Sequence, residues 1–208
     1  MNNLSYWENR KTTSEELCII KYLLDLKTNS LGKLLHIGLG NSEALIKLNK
    51  KCDNFIGITI AGKELDLANN LKIKNNKNYL IDKYDSIKLN HLSLQNSLDF
   101  IIDINLKSFA PNDNSFELMF QNFCDFLKVG GKIITSQSGM NFSSSLSEEN
   151  GKLLQSHKSI QNNILSRSEL ALICKKLNLK MRDIYITRKF FKGIWFRKKT
   201  ECLYLIEK

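Results

Sequence analysis

The chain is predicted to fold as a doubly wound, mostly parallel α/β sheet that ends in an antiparallel strand pair. Three observations lead to this. Short apolar runs alternate with amphipathic stretches from Leu34 to Thr135, the spacing of parallel strands joined by crossover helices. A glycine-flanked turn, Gly38-Leu39-Gly40, follows the first run directly. The last two runs, Met181 to Arg188 and Glu201 to Ile206, have no helical pattern between them and should pair antiparallel.

Each element has its own signal. Thr13-Ser14-Glu15-Glu16 has the form of a capping box, in which Thr and the Glu three residues on satisfy each other's backbone N–H groups. Leu17, Ile20, Leu23 and Leu24 continue it as one apolar stripe. Leu34-Leu35-His36-Ile37 reads as the first strand, and a helix follows through Leu45 and Leu48. Phe55 to Ile60 is the second strand, Lys63 to Leu71 its helix, and Tyr79 to Ile81 a third strand. Leu98 to Ile104 is the clearest later strand; a helix from about Ser115 to Leu127 follows, then Gly130-Gly131 and the strand Lys132 to Thr135.

Residues 136–165 lack firm periodicity and are rich in Ser and Asn, which predicts a partly helical insertion over the carboxyl edge of the sheet, on the acceptor side. Ser166-Arg167-Ser168-Glu169 is a second capping box, opening a helix to about Leu177. Phe190 to Lys199, between the last two strands, combines aromatic with basic residues. It suits stacking on bases or sugars, a membrane surface or a partner protein, or packing onto its own domain.

At 208 residues the chain holds one domain, with 1–30 as an N-terminal helix and lid. In that lid Tyr6-Trp7-Glu8-Asn9-Arg10 either closes over a ligand or anchors the first helix. A hydrophobic fraction of 42% and a charged fraction of 25% are globular values. No apolar run approaches the roughly 20 residues of a membrane span, and Met1 to Arg10 have no apolar signal region, so a cytoplasmic location is expected. The five cysteines lie far apart with no CxxC pair, which predicts small buried hydrophobes rather than a zinc site or disulfides. His91 and His157 stand alone, and there is no HExxH, so no metal is expected.

The net charge of +10 invites a nucleic-acid reading, but only five of the 31 basic residues are Arg. Lys is a compact hydrated charge, whereas phosphate and base readers favour the Arg fork. A solvated surface is the expected reading, and nucleic acid is not the expected partner.

The glycine turn after a strand and before a helix, the second strand about 20 residues on, and Lys128-Val129-Gly130-Gly131-Lys132-Ile133 together point to a nucleotide-type cofactor. In order and spacing, Leu34 to Ile206 resembles the class I S-adenosylmethionine-dependent methyltransferases. The resemblance implies a seven-stranded Rossmann-like sheet and S-adenosylmethionine as cofactor. It implies that Gly38, Leu39 and Gly40 line the cofactor's amino-acid part, that Thr59 and Ile60 meet the ribose, and that Asp82 or Asp85 faces the adenine amino group. His36 stands where the family's first motif has an acid, Ser42 where a third Gly is common, and Thr59 where a ribose-binding carboxylate is usual. A Thr hydroxyl still hydrogen-bonds a ribose, about half as strongly as a charged group. His36 is either a neutral core histidine or a direct cofactor contact.

Asp103, at the end of the fourth strand, is the candidate catalytic residue: a carboxylate there orients or deprotonates a hydroxyl or amine, or else caps the following turn. The chain contains no Asn-Pro-Pro-Tyr motif, so the resemblance implies a methyltransferase acting on a small molecule or glycan. Three other readings stay open. Asp99-Phe100-Ile101-Ile102-Asp103 and Gln137 suggest an aminopropyl-type transferase, against which the second strand lacks an acid. The fold could also serve a non-catalytic binding protein or a nucleic-acid methyltransferase.

Overall fold

The computed structural model describes residues 12–59, 62–75, 79–83, 94–104, 106, 113–140, 145–149, 152–156, 165–192 and 195–208. In chain order the elements are α1 (Ser14–Asp25), β1 (Lys33–Ile37), α2 (Glu43–Leu48), β2 (Asn54–Thr59), α3 (Gly62–Asn75), β3 (Tyr79–Lys83), β4 (Leu98–Asp103), α4 (Asp113–Phe126), β5 (Leu127–Ser136), α5 (Gln137–Met140), β6 (Ser145–Glu149), β7 (Lys152–Ser156), α6 (Arg167–Lys176), β8 (Lys180–Lys192) and β9 (Trp195–Glu207). Seven strands form one sheet in the order β3-β2-β1-β4-β5-β9-β8. The first five pair in parallel, while β9 runs antiparallel to both β5 and β8. The mostly parallel sheet with an antiparallel closing pair is therefore as the sequence predicts.

Alternation along the central strands divides the core into two layers. Leu35 and Ile37 of β1 and Ile56 and Ile58 of β2 face a cluster built with Phe116, Phe120 and Phe123 of α4 and Leu170 and Cys174 of α6. Leu34, Phe55, Ile102 and Ile134 face the other cluster, with Cys18, Ile19 and Leu23 of α1, Leu45 of α2 and Ala68 of α3. Helices on both faces leave the strands little exposed surface, which is why β1 and β2 read as mostly apolar runs, with His36 and Thr59 as buried polar exceptions. Cys18, Cys124, Cys174 and Cys202 are buried and Cys52 half-buried, all as free thiols. Burial pushes Cys124 up to about 11 and Cys52 and Cys174 up to about 12, so these thiols stay protonated and unreactive.

Two expectations are corrected and one is extended. The helix α4 hands over to β5 at Leu127, so Gly130 and Gly131 lie inside the strand, at a register shift between Leu98 and Phe100 of β4. Among the described residues of 136–165, Gln137–Met140 is helical, in keeping with a partly helical insertion, and Ser145–Glu149 and Lys152–Ser156 add the β6/β7 hairpin. Phe190 to Lys199 is not a separate connection, because β8 and β9 pair without interruption out to Lys192↔Trp195. The Tyr6 to Arg10 segment, Ile60, Asp85, His91 and His157 lie outside the described residues.

Candidate functional site

The carboxyl ends of the parallel strands define the site, because register places several candidates in one row. Ile37 pairs with Ile58 on one side and Asp103 on the other, and Ile58 pairs with Asp82. The turn after Ile37 thus begins between the ends of β2 and β4. Gly38 N–H donates to the Ile58 carbonyl at 2.8 Å, holding the turn against β2. Gly38, Gly40 and Ser42 have φ of 78°, 53° and 63°, so every second residue is left-handed. That region is open to glycine and strained for other residues.

A Cβ on Gly40 would have one close neighbour, the Glu16 Oε2 at 3.8 Å. Among the described residues nothing else comes within 4 Å of that Cβ, and the constraint on Gly40 is its left-handed backbone. Glu16 is buried on α1. Its N–H is capped by the Thr13 hydroxyl at 3.2 Å, and its carboxylate stands beside the glycine turn. The resembled family has an acid at the His36 position of β1; here the carboxylate nearest Gly40 among the described residues is Glu16, on α1. The acid three residues after a Thr reads in sequence as a capping residue, which hid this placement.

His36 lies one residue below the edge, paired with Gly57 and Ile102. Its ring is 0% exposed and meets Phe55 edge-on at 6.2 Å. Burial lowers its pKa to about 4, so the ring is neutral. Neither ring nitrogen has a hydrogen-bond partner among the described residues, and the same holds for the buried Ser42 Oγ. Leu39, expected among the cofactor contacts, commits its side chain to the core: it is fully buried, and a Cβ on Gly57 would lie 2.4 Å from its Cδ2. Only its backbone faces the turn, because β2 has a notch at Gly57 that the Leu39 side chain fills.

At the end of β2, the Thr59 hydroxyl donates to Glu64 Oε2 at 2.6 Å, and both groups are buried. A buried carboxylate, from the first turn of α3 five residues later, thus stands beside the end of β2. Asp82 is placed on β3 at the Ile58 level.

Asp103 is buried at the end of β4. Beside it the chain leaves β5 tightly: the Thr135 hydroxyl donates to the Ile104 carbonyl at 3.1 Å and Gly139 N–H to Ser136 Oγ at 2.9 Å. Ser138 N–H donates to the buried Glu201 at 3.2 Å, tying β9 to the same edge. Glu201 gave no signal in sequence, since it falls in a strand with alternating character. Among the described residues no group of three or more His, Cys, Asp or Glu is arranged to hold a metal.

These residues fit a nucleotide carrying an amino acid: left-handed backbone before an open space, buried carboxylates for an ammonium and a diol, and orphaned buried polar atoms at His36 and Ser42. No protein-family model and no curated protein matches the chain in sequence. Solved structures do match in fold. N-methyltransferase NodS from Bradyrhizobium japonicum, in complex with S-adenosyl-L-homocysteine, is similar at a TM-score of 0.62 and 12% identity, over 100% of this chain and 98% of that one. An S-adenosylmethionine-dependent methyltransferase from Clostridium acetobutylicum is similar at 0.61 and 12%, over 98% and 91%. One from Methanosarcina mazei is similar at 0.59 and 15%, over 90% and 96%. On the strength of these matches, this chain has the fold of the class I S-adenosylmethionine-dependent methyltransferases.

Proposed function

We propose that the protein is an S-adenosylmethionine-dependent methyltransferase whose acceptor is a small molecule or glycan. The observation that carries this reading is the convergence, at one sheet edge, of the left-handed turn Gly38 to Ser42 with the buried carboxylates Glu16, Glu64 and Asp103. The backbone of Gly38 and Gly40 would hold the amino-acid part of the cofactor, with Glu16 facing its ammonium group. Glu64 and Thr59 together would hold the ribose hydroxyls. Asp82 or Asp85 remains the candidate for the adenine amino group.

The cofactor supplies a methyl group on a sulfonium, which makes transfer an in-line displacement. The protein's part is alignment and exclusion of water. Asp103, beside the turn, orients the acceptor and takes its proton where the acceptor is a hydroxyl or a protonated amine.

Calorimetric titration with S-adenosylhomocysteine tests the reading. A dissociation constant between micromolar and sub-millimolar is expected, roughly −8 to −5 kcal/mol. Gly40→Val should abolish binding while the fold persists, since the new side chain enters the open space. Absence of heat at millimolar ligand overturns the cofactor assignment and leaves a fold used for something else.

A further inference from the structure

We propose that the acceptor of this methyltransferase, a reading on which the inference rests, is an extended glycan carrying an acidic group, held along one face of the β8/β9 ribbon. Pairing of β9 with β5 ends at Leu203↔Ser136, yet β8 and β9 stay paired past Lys189↔Lys198. The ribbon therefore runs out beyond the carboxyl edge at which Asp103 lies.

Alternation assigns the side chains to faces. Cys202 and Tyr204 pack into the same core layer as Ile101 and Ile133, whereas Leu203, Leu205, Ile184 and Ile186 pack into the other, with Ile102 and Ile134. By the two-residue period of a strand, Asp103, Tyr185, Thr187, Lys189, Lys198 and Thr200 all belong to the first face. Asp103 and Tyr204 stand at one level on it, since Ile102 pairs with Ile134 and Thr135 with Tyr204.

Three rungs follow outward from that level. Tyr185 is 68% exposed, with its hydroxyl against the Cys202 thiol, and offers a flat apolar ring to a sugar. The exposed hydroxyls of Thr187 and Thr200 lie 2.9 Å apart and can both donate and accept. Lys189 and Lys198 then face each other, exposed and without a salt bridge among the described residues. Like charges directly opposite destabilise a ribbon, and an anion between them removes that cost. Asp183, the acid on this face of β8, does not compete, because Arg167 grips both its oxygens at 3.0 to 3.2 Å.

Reach and charge spacing select the ligand. The six positions from Tyr204 to Lys198 span about 20 Å, and two strand spacings separate β4 from β9, about 10 Å more to the side. A ligand that touches both Asp103 and the lysine pair is thus a chain of several units, a glycan rather than a single small molecule. A nucleic-acid strand carries a phosphate on every unit, whereas only the outermost of the three rungs is cationic. Arg188 and Lys199 belong to the opposite face, where Lys199 pairs with Glu15 at 3.2 Å.

The test is calorimetric titration of the full chain at about 0.15 M salt. The probes are tetragalacturonate, neutral maltotetraose, and inorganic tripolyphosphate as an anion without sugar. Tetragalacturonate should bind with a Kd below about 1 mM, and maltotetraose about tenfold more weakly. Lys189→Gln with Lys198→Gln should weaken tetragalacturonate about tenfold, to the maltotetraose value, and leave S-adenosylhomocysteine affinity unchanged. Tyr185→Ala should weaken both oligosaccharides alike and leave tripolyphosphate unaffected, in protein whose melting temperature matches the wild type. Equal binding of the acidic and neutral oligosaccharides overturns the proposal, as does indifference of tetragalacturonate to the lysine pair. Tripolyphosphate binding as tightly as tetragalacturonate reduces the rung to a plain anion patch and overturns it too. Single-stranded RNA that binds more tightly and displaces tetragalacturonate makes the face a nucleic-acid reader instead. A chain that binds S-adenosylhomocysteine but no oligosaccharide overturns this proposal alone. One that fails to bind S-adenosylhomocysteine overturns the methyltransferase reading, and with it the acceptor role of this face.

Discussion

The hydrogen bond from Thr59 to Glu64 joins two buried groups at the mouth of the site, so changing either has a defined consequence. Thr59→Val removes a donor from a buried carboxylate and should destabilise the fold by about 1.5–3 kcal/mol, read by urea denaturation. Glu64→Gln keeps an acceptor for Thr59 and removes the charge. It should leave the fold nearly intact and weaken S-adenosylhomocysteine about tenfold by calorimetry, since charge-assisted bonds to a ribose are about twice as strong as neutral ones. Unchanged affinity would show that the ribose lies elsewhere. Thr59 could be placed from sequence because it closes an apolar run. Glu64 could not, since its role depends on how the α3 start folds back over the end of β2. Glu16 escaped for the opposite reason: its local pattern, Thr-x-x-Glu, had a sufficient local explanation.

Elements were legible where their period was unambiguous. The apolar runs of β1, β2 and β4 and the capping box at Ser166, in which both reciprocal bonds form, appear where the sequence puts them. The distal hairpin was not legible as strand, because clustered aromatic and basic residues around a glycine resemble a loop when cross-strand pairing is unseen. One element is held by a residue far from it. The last turn of α1 has no basic residue of its own, and Lys51 Nζ donates to the carbonyls of Leu23, Leu24 and Leu26 at 3.1, 2.8 and 2.7 Å. These are the orphan acceptors of a helix end. Lys51→Met should fray α1 and destabilise the protein by about 1–2 kcal/mol, with loss of amide protection at the end of α1 in hydrogen exchange as the check. Packing between elements gives a second case. Gly57→Ala would put a methyl 2.4 Å from a fully buried Leu39 side chain. Overpacking of this kind costs about 1–3 kcal/mol, and because Leu39 belongs to the glycine turn, cofactor affinity should fall with it.

On the scale of the whole molecule, stability should depend on pH through His36 in a way that can be isolated. The ring is fully buried, and burial lowers its folded pKa to about 4 from an ordinary value of 6.5. Above pH 6.5 the ring is neutral in both states and contributes no pH dependence. As pH falls from 6.5 toward 4, the unfolded chain binds a proton that the folded chain refuses, so unfolding becomes easier; below about 4 both states are protonated and the loss is complete. One pKa unit corresponds to 1.36 kcal/mol, so the full loss is about 3 kcal/mol. Any other titrating groups are common to wild type and a His36 variant, so their contribution cancels in the difference. His36→Leu keeps the volume roughly constant against Phe55 and removes two ring nitrogens that have no partner among the described residues. At neutral pH it should therefore be as stable as the wild type or more so. Urea denaturation of both proteins from pH 7.5 to 4 reads the difference: the wild type should lose up to about 3 kcal/mol more than His36→Leu, all of it below pH 6.5. Parallel curves would mean that the folded protein accepts the proton at His36, and that the ring has a partner in solution.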